Sequence, residues 1–172
     1  MPEPQREELG RFVAGCAQAA PDFRWTPKEN LHLTIRYIGN IERSVVEAMA
    51  DGLAGRPLAG FELDLDGIGT FGRGRAVRVV WIGLRAASDG AGALAAQVEA
   101  ECSRAGLVGE ERPFQAHLTL ARARARGGAA LPDLLPAPPL EPWRVDAMNL
   151  YSSRLTKAGA IYEVIRSLPL FP

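Results

Sequence analysis

The chain reads as an α+β fold built as a pseudo-twofold pair of lobes around one cleft. Three observations predict it. Helical and strand periodicities are mixed along 172 residues without the regular crossover pattern of a parallel sheet. The tripeptide His-Leu-Thr occurs twice, at His32 to Thr34 and at His117 to Thr119, and the two copies use every histidine in the chain. An amphipathic helical stretch precedes each copy, with Cys16 lying 16 residues ahead of His32 and Cys102 lying 15 ahead of His117. This is an internal duplication, helix then motif strand, and at two copies its physical form is a pair of lobes and not a solenoid.

The elements follow in order. Leu9, Phe12, Val13, Cys16 and Ala17 mark the apolar face of a helix from about Pro4 to Ala20, ended by Pro21-Asp22. Phe23-Arg24-Trp25 forms a short strand, and the chain passes Pro27 into the first motif strand, Leu31 to Ile38, which stops at Gly39-Asn40. Ser44-Val45-Val46-Glu47 has the form of a capping box opening a second helix to about Leu53, with Val45, Val46, Met49 and Leu53 inward. Phe61 to Asp66 alternates apolar and acidic residues, as a half-buried antiparallel strand does, and Arg75 to Leu84, with Val77, Val79 and Trp81 on one side, is its partner.

The glycine-rich stretch between them, Gly67 to Gly74, lacks the spacing of a nucleotide-binding fingerprint and joins two strands, so it is expected to be a flexible hairpin connection. Phe71 on it could stack on a base. Leu94, Val98 and Cys102 mark a third helix before the second motif strand, Phe114 to Ala121. Arg122 to Gly128 is a solvated charged run of which only Arg122, at the end of the motif, is expected to be functional. Leu131 to Pro142 is a proline-rich surface excursion, and Arg144 to Leu155 with Ala160 to Ser167 closes the chain as a hairpin around Lys157-Ala158-Gly159.

Composition bounds the function. At 47% apolar the chain can bury a substantial core as one unit. Its formal net charge is zero, so any nucleic acid must be met through a local patch. Of the 20 basic residues only Lys28 and Lys157 are lysine. Arginine favours bidentate phosphate contacts, although a GC-rich coding sequence produces the same bias together with the many alanines. Cys16 and Cys102 sit on apolar helix faces in different halves and are expected to be buried free thiols, consistent with a reducing cytoplasm. Val13-Ala14-Gly15-Cys16 has the outline of a lipoprotein processing site, but Pro4 to Arg11 carries too many charges for a signal's apolar core. No run approaches the roughly 20 apolar residues of a membrane span.

Strand alternation sets His32 and Thr34 on the face opposite Leu33 and Ile35, and His117 and Thr119 opposite Leu118 and Leu120. Imidazole and hydroxyl thus face outward together while apolar residues anchor each strand. The doubled motif, His32-Leu33-Thr34-Ile35-Arg36-Tyr37-Ile38-Gly39 and His117-Leu118-Thr119-Leu120-Ala121-Arg122, resembles the two-histidine (2H) phosphoesterases, and among them the RNA 2′,3′-cyclic phosphodiesterases once called 2′-5′ RNA ligases. Glu29-Asn30, Pro113-Phe114 and Leu150-Tyr151-Ser152-Ser153-Arg154-Leu155 support the resemblance, which covers nearly the whole chain. It implies two lobes, each an antiparallel sheet with helices packed outside, in one bilobal domain over residues 1–172. Three departures stand out. Met1-Pro2-Glu3-Pro4 is already at the first helix where the family opens with an apolar strand, Ala116 stands where proline often precedes the second histidine, and Gly159-Ala160 replaces a late Gly-Pro. Without that strand a sheet edge is expected to be covered by the C-terminal segment or by a second chain.

Two histidines at one cleft suit phosphodiester hydrolysis. A neutral imidazole takes a proton from attacking water while an imidazolium gives one to the departing oxygen, and a pKa near ~6.5 keeps both forms accessible. Thr34 and Thr119 can bind non-bridging oxygens, and Arg122 can balance transition-state charge. Arg36 shares the face of His32 and Thr34 and is either a phosphate contact or a surface arginine. Two histidines alone make a poor metal site, so neither metal nor cofactor is expected.

The resemblance implies His117 as base and His32 as acid, with a 2′,3′-cyclic RNA end opened to a 2′-phosphate. The alternatives are 2′-5′ RNA ligation by the reverse reaction, a related cyclic-nucleotide or 2′-5′ phosphodiesterase, and a non-catalytic RNA-end binding protein. The expected partner is RNA with 2′,3′-cyclic ends. The expected state is a cytoplasmic monomer without membrane contact, or a dimer formed through the open strand edge.

Overall fold

The computed structural model describes residues 1–86, 88–131, 133–134, 136–156 and 159–172. Among them run α1 (Glu3–Ala19), β1 (Phe23–Trp25), a 3₁₀ turn (Lys28–Asn30), α2 (Arg43–Ala54), β2 (Phe61–Arg73), β3 (Ala76–Ala86), α3 (Gly90–Arg104), β4 (His117–Ala123), β5 (Trp143–Val145), β6 (Ala147–Thr156) and β7 (Gly159–Pro169). The strands form a five-stranded sheet in the order β1-β4-β3-β2-β5 and a two-stranded ribbon of β6 and β7. Helices are mixed with the antiparallel pairs β1–β4, β3–β4 and β6–β7, so the α+β expectation holds.

The chain condenses into two compact units, and neither is a continuous half. One gathers Met1–Thr34, Leu63–Arg85 and Gln115–Trp143; the other gathers Ile35–Glu62, Ala86–Phe114 and Arg144–Pro172. Both His-Leu-Thr motifs fall in the first. Its core is built by alternation. In α1, Leu9, Phe12, Val13 and Cys16 recur at helical spacing and are all buried. Leu118 and Leu120 of β4, Val80, Ile82 and Leu84 of β3, and Phe23 of β1 are buried residues of the sheet.

In the second unit α2 buries Met49, Ala50 and Leu53, and α3 buries Leu94, Val98 and Cys102. Glu101 of α3 is buried too, where its carboxylate accepts from Arg56 at 2.6 Å and also from Arg104. That burial is tolerated because both cations pair with one carboxylate. Gly52 of α2 makes room for it, since a Cβ at Gly52 would overlap the Glu101 carboxylate. The β6–β7 ribbon runs in register from Ala147 opposite Pro169 to Thr156 opposite Gly159, with one shift at Leu150/Tyr151. The closing hairpin is therefore present, although Lys157 and Ala158 of its expected turn lie outside the described residues. So do Pro132 and Leu135 of the proline-rich excursion.

Three expectations need correction. The first motif does not form a strand. Between Leu31 and Ile38 only Leu33 finds a ladder partner, and the chain passes from one unit to the other after Thr34, which leaves Ile35 to Ile38 off the sheet. The capping box does not form either. Helix α2 begins at Arg43 with Glu42 at the cap and no side-chain capping bond, so Ser44 is already inside the helix. The glycine-rich stretch is strand, not a flexible connection. β2 continues to Arg73, and the turn is the pair Gly74-Arg75, with Gly74 at φ +57° in the left-handed region that glycine occupies without strain.

Both cysteines are buried thiols outside any disulfide, as expected, and burial pushes the Cys102 thiol up from its ordinary value, disfavouring the thiolate. Neither should react with an aromatic disulfide reagent in the native protein, and both should titrate in denaturant. Rapid native labelling of either thiol would contradict the burial.

Candidate active site

Strand β4 carries His117 and Thr119 and is flanked on both sides. On one edge β3 runs antiparallel, with Gly83 opposite His117 and Trp81 opposite Thr119. On the other edge lie β1 and, further along, the first motif, where Leu33 forms an antiparallel bridge with Leu118. That bridge is informative because the pairs flanking it are set by register. Reading outward from Leu33 and Leu118, His32 comes beside Thr119 and Thr34 beside His117. Leu118 is buried, so these four side chains project from the opposite face. The two motifs therefore cross head to tail, each histidine next to the threonine of the other.

The histidines also share a local geometry. His32 Nδ1 lies 2.7 Å from the carbonyl oxygen of Asn30, and His117 Nδ1 lies 2.7 Å from that of Gln115. A carbonyl oxygen can only accept, so in each ring Nδ1 carries the proton and Nε2 is the nitrogen that exchanges one. The contact runs to the residue two positions earlier in both cases. The duplication therefore extends to the tautomer. Both rings are half-buried, Thr119 is half-buried and Thr34 is exposed.

An aromatic wall stands beside His117. Phe71 meets the imidazole edge to face with centroids 5.5 Å apart, and Trp81 meets it at 5.9 Å; Phe71 and Trp81 are 5.3 Å from each other. Phe71 itself is 40% exposed. The Trp81 ring lies against the backbone at Gly69, where any Cβ would overlap it. Trp81 was not singled out as a site residue from the sequence. The signal was present, since Trp81 alternates with buried Val80 and Ile82 and Gly69 occupies the facing strand, but one bulky residue in a strand reads as core.

Arg122 reaches this face through an irregularity. Val80 pairs with Ala121 and Trp81 pairs with Thr119, leaving Leu120 as an extra residue in β4. Such a bulge reverses the alternation beyond it. Leu120 and Ala121 both turn to the core with no exposed surface, and Arg122, opposite Val79, returns to the side of Trp81, Thr119 and His117. Arg36 is not part of the group. Its guanidinium pairs with Glu99 at 2.8 Å and Glu110 at 3.4 Å and donates to the Val108 carbonyl at 2.6 Å, so its charge is already met within the second unit.

Among the described residues no cluster of three or more His, Cys, Asp or Glu side chains is placed to hold a metal ion, and no helix is long and apolar enough to cross a membrane.

Comparison with known proteins gives a consistent picture. The model of the LigT-like phosphoesterase family matches residues 1–81 and again residues 82–162, so each match contains one His-Leu-Thr. The RNA 2′,3′-cyclic phosphodiesterase of Aeropyrum pernix is 30% identical over 161 residues, spanning 91% of this chain and 92% of that protein. The Escherichia coli protein of the same name is 33% identical over 141 residues, spanning 80% of this chain and 74% of its own length. The crystal structure of E. coli LigT complexed with NADP⁺ superposes with a TM-score of 0.82 at 26% identity, covering all of this chain (100%) and 94% of that one.

The Gly69–Trp81 contact is testable. Gly69→Ala should force the indole off its seat at a cost of about 1–3 kcal/mol in stability, the range for overpacking a filled site. Thermal unfolding of the variant measures the cost, and an unchanged midpoint would show that the indole does not rest on Gly69.

Proposed function

The chain belongs to the LigT-like phosphoesterase family, and from that membership and the crossed motifs we propose that it hydrolyses 2′,3′-cyclic phosphate ends of RNA to 2′-phosphates. The observation that carries the proposal is the antiparallel bridge Leu33–Leu118, which by register brings both His-x-Thr pairs to one face. RNA phosphodiesterase activity in the named relatives supports the choice of substrate.

His117 Nε2 takes a proton from water as the water oxygen attacks phosphorus. The P–O3′ bond breaks, and His32 Nε2, protonated beforehand, gives its proton to O3′. The product keeps the phosphate on O2′, and each histidine ends in the state in which the other began. The Nδ1–carbonyl contacts hold both rings in the tautomer this exchange requires. Thr34 and Thr119, each beside the opposite histidine, donate to the non-bridging oxygens. Arg122, further along β4 on the same face, adds positive charge at longer range and does not contact the reacting phosphorus. Phe71, partly exposed, supplies an aromatic surface for the terminal base. No step draws on a metal or an organic cofactor.

The reading is tested with a short RNA ending in a 2′,3′-cyclic phosphate, assayed in EDTA. Wild type should yield the 2′-phosphate. His32→Ala and His117→Ala should each lose about 10²- to 10⁴-fold in rate while retaining the circular dichroism of the parent. Full activity in either variant would overturn the two-histidine mechanism, and a 3′-phosphate product would reverse the leaving group. Thr119→Val should lower kcat by roughly tenfold, the loss of about one hydrogen bond to a charged oxygen.

A further inference from the structure

Arg24 of β1 and Arg122 of β4 stand directly opposite one another in the antiparallel ladder. Opposed residues in such a pair have Cβ atoms about 4.5–5.5 Å apart and point to the same face, and like charges so placed destabilise the sheet. Both side chains are exposed, and among the described residues neither forms an ion pair or a side-chain hydrogen bond. Arg36, Arg56, Arg85, Arg104 and Arg166 have carboxylate partners; what distinguishes Arg24 and Arg122 from the other arginines without one is that they face each other across a ladder. The strand would pair as well with a neutral residue at either position, and the bulge at Leu120 is what turns Arg122 toward Arg24's face at all. Two arginines opposed on one face with no carboxylate partner make a site for an anion with several oxygens.

The position of the pair identifies the anion. Arg122 lies five residues beyond His117 on the same strand and face, on the order of 15 Å of chain at about 3.3 Å per residue. A ligand spanning both points needs a second phosphate some distance from the reacting one. A mononucleotide 2′,3′-cyclic phosphate does not have it.

We propose that Arg24 and Arg122 clamp a phosphodiester group upstream of the reacting end, so that the site selects single-stranded RNA over cyclic mononucleotides. This rests on the hydrolase reading above and extends it from the terminal nucleotide to the chain behind it. Arg24 is the specificity-determining member. It lies outside both motifs, and Phe23 and Trp25 on either side turn to the core while it turns away.

The test compares wild type, Arg24→Ala and a charge-matched control, Arg11→Ala on α1, on two substrates: a trinucleotide and a mononucleoside, each with a 2′,3′-cyclic phosphate. The ratio of kcat/KM for trinucleotide over mononucleoside should fall roughly tenfold in Arg24→Ala and stay at the wild-type value in Arg11→Ala. The dependence of log kcat/KM on log salt for the trinucleotide should flatten by about 0.7, the counterion equivalent of one lost phosphate contact to a single strand. In parallel, binding of a trinucleotide 2′-phosphate is measured by fluorescence anisotropy, which requires no turnover, and should weaken to a similar degree. Normal turnover with an unchanged ratio and unchanged binding in folded Arg24→Ala would overturn the clamp and leave the hydrolase reading standing. Absence of turnover in wild type, with binding still lost on removing Arg24, would overturn the hydrolase reading and leave the clamp standing.

Discussion

The site depends on one backbone pairing, the antiparallel bridge between Leu33 and Leu118. A slip of one residue would carry His32 and Thr34 to the other face of their strand, because side chains alternate with a period of two. What prevents the slip is burial. Leu31 and Leu118 are 3% and 2% exposed, and Leu120 is completely buried (0%), so a change of register would move leucines into water and polar side chains into the core. A single isolated bridge is a weak element alone. It gains its precision from the apolar side chains on its hidden face, and the catalytic candidates on the open face inherit that precision.

β4 adds two further adjustments. The Leu120 bulge interrupts a strand that would otherwise send Arg122 to the core side, where an unpaired guanidinium would be costly. The same strand presents His117 to Phe71 and Trp81, whose ring centroids lie 5.5 and 5.9 Å from that of the imidazole, while the Nδ1 bond to the Gln115 carbonyl fixes its tautomer. Gly69 belongs to this arrangement. Its missing side chain admits the indole, which accounts for a glycine at this position of β2.

Much of this was legible from residues alone, for identifiable reasons. Helical spacing at Leu9, Phe12, Val13 and Cys16 and alternation at Phe61 to Asp66 report burial directly, and burial is what periodicity encodes. The doubled His-Leu-Thr was legible because it repeats with both histidines of the chain. The strand at Leu31 to Ile38 was misread because its alternation depends on side chains, whereas a strand exists only when a neighbour accepts its backbone groups, and here only Leu33 has one. Trp81 and Arg24 were passed over for a related reason. Their importance lies in what stands across the ladder from them, Thr119 and Arg122, and register between distant segments is absent from any local pattern. The compact units show the same limit, since each takes segments from both sequence repeats.

Net charge is a poor guide to the ligand of such a protein. The chain has 20 basic and 20 acidic residues and sums to zero, which by composition alone argues against a polyanion as partner. The charges are not evenly matched in space, however. Glu101 absorbs Arg56 and Arg104, Glu99 and Glu110 absorb Arg36, and Asp64 and Asp66 absorb Arg85. Once these pairs are set aside, Arg24 and Arg122 remain on the face that also carries His117 and Thr119, with no carboxylate to meet them among the described residues. Electrostatic attraction at close range is governed by this local remainder, because distant exposed charges are screened within about 10 Å at ordinary ionic strength. A neutral molecule can thus present a cationic surface where its chemistry is done, and the bulge that turns Arg122 outward is the feature of the backbone that makes it so.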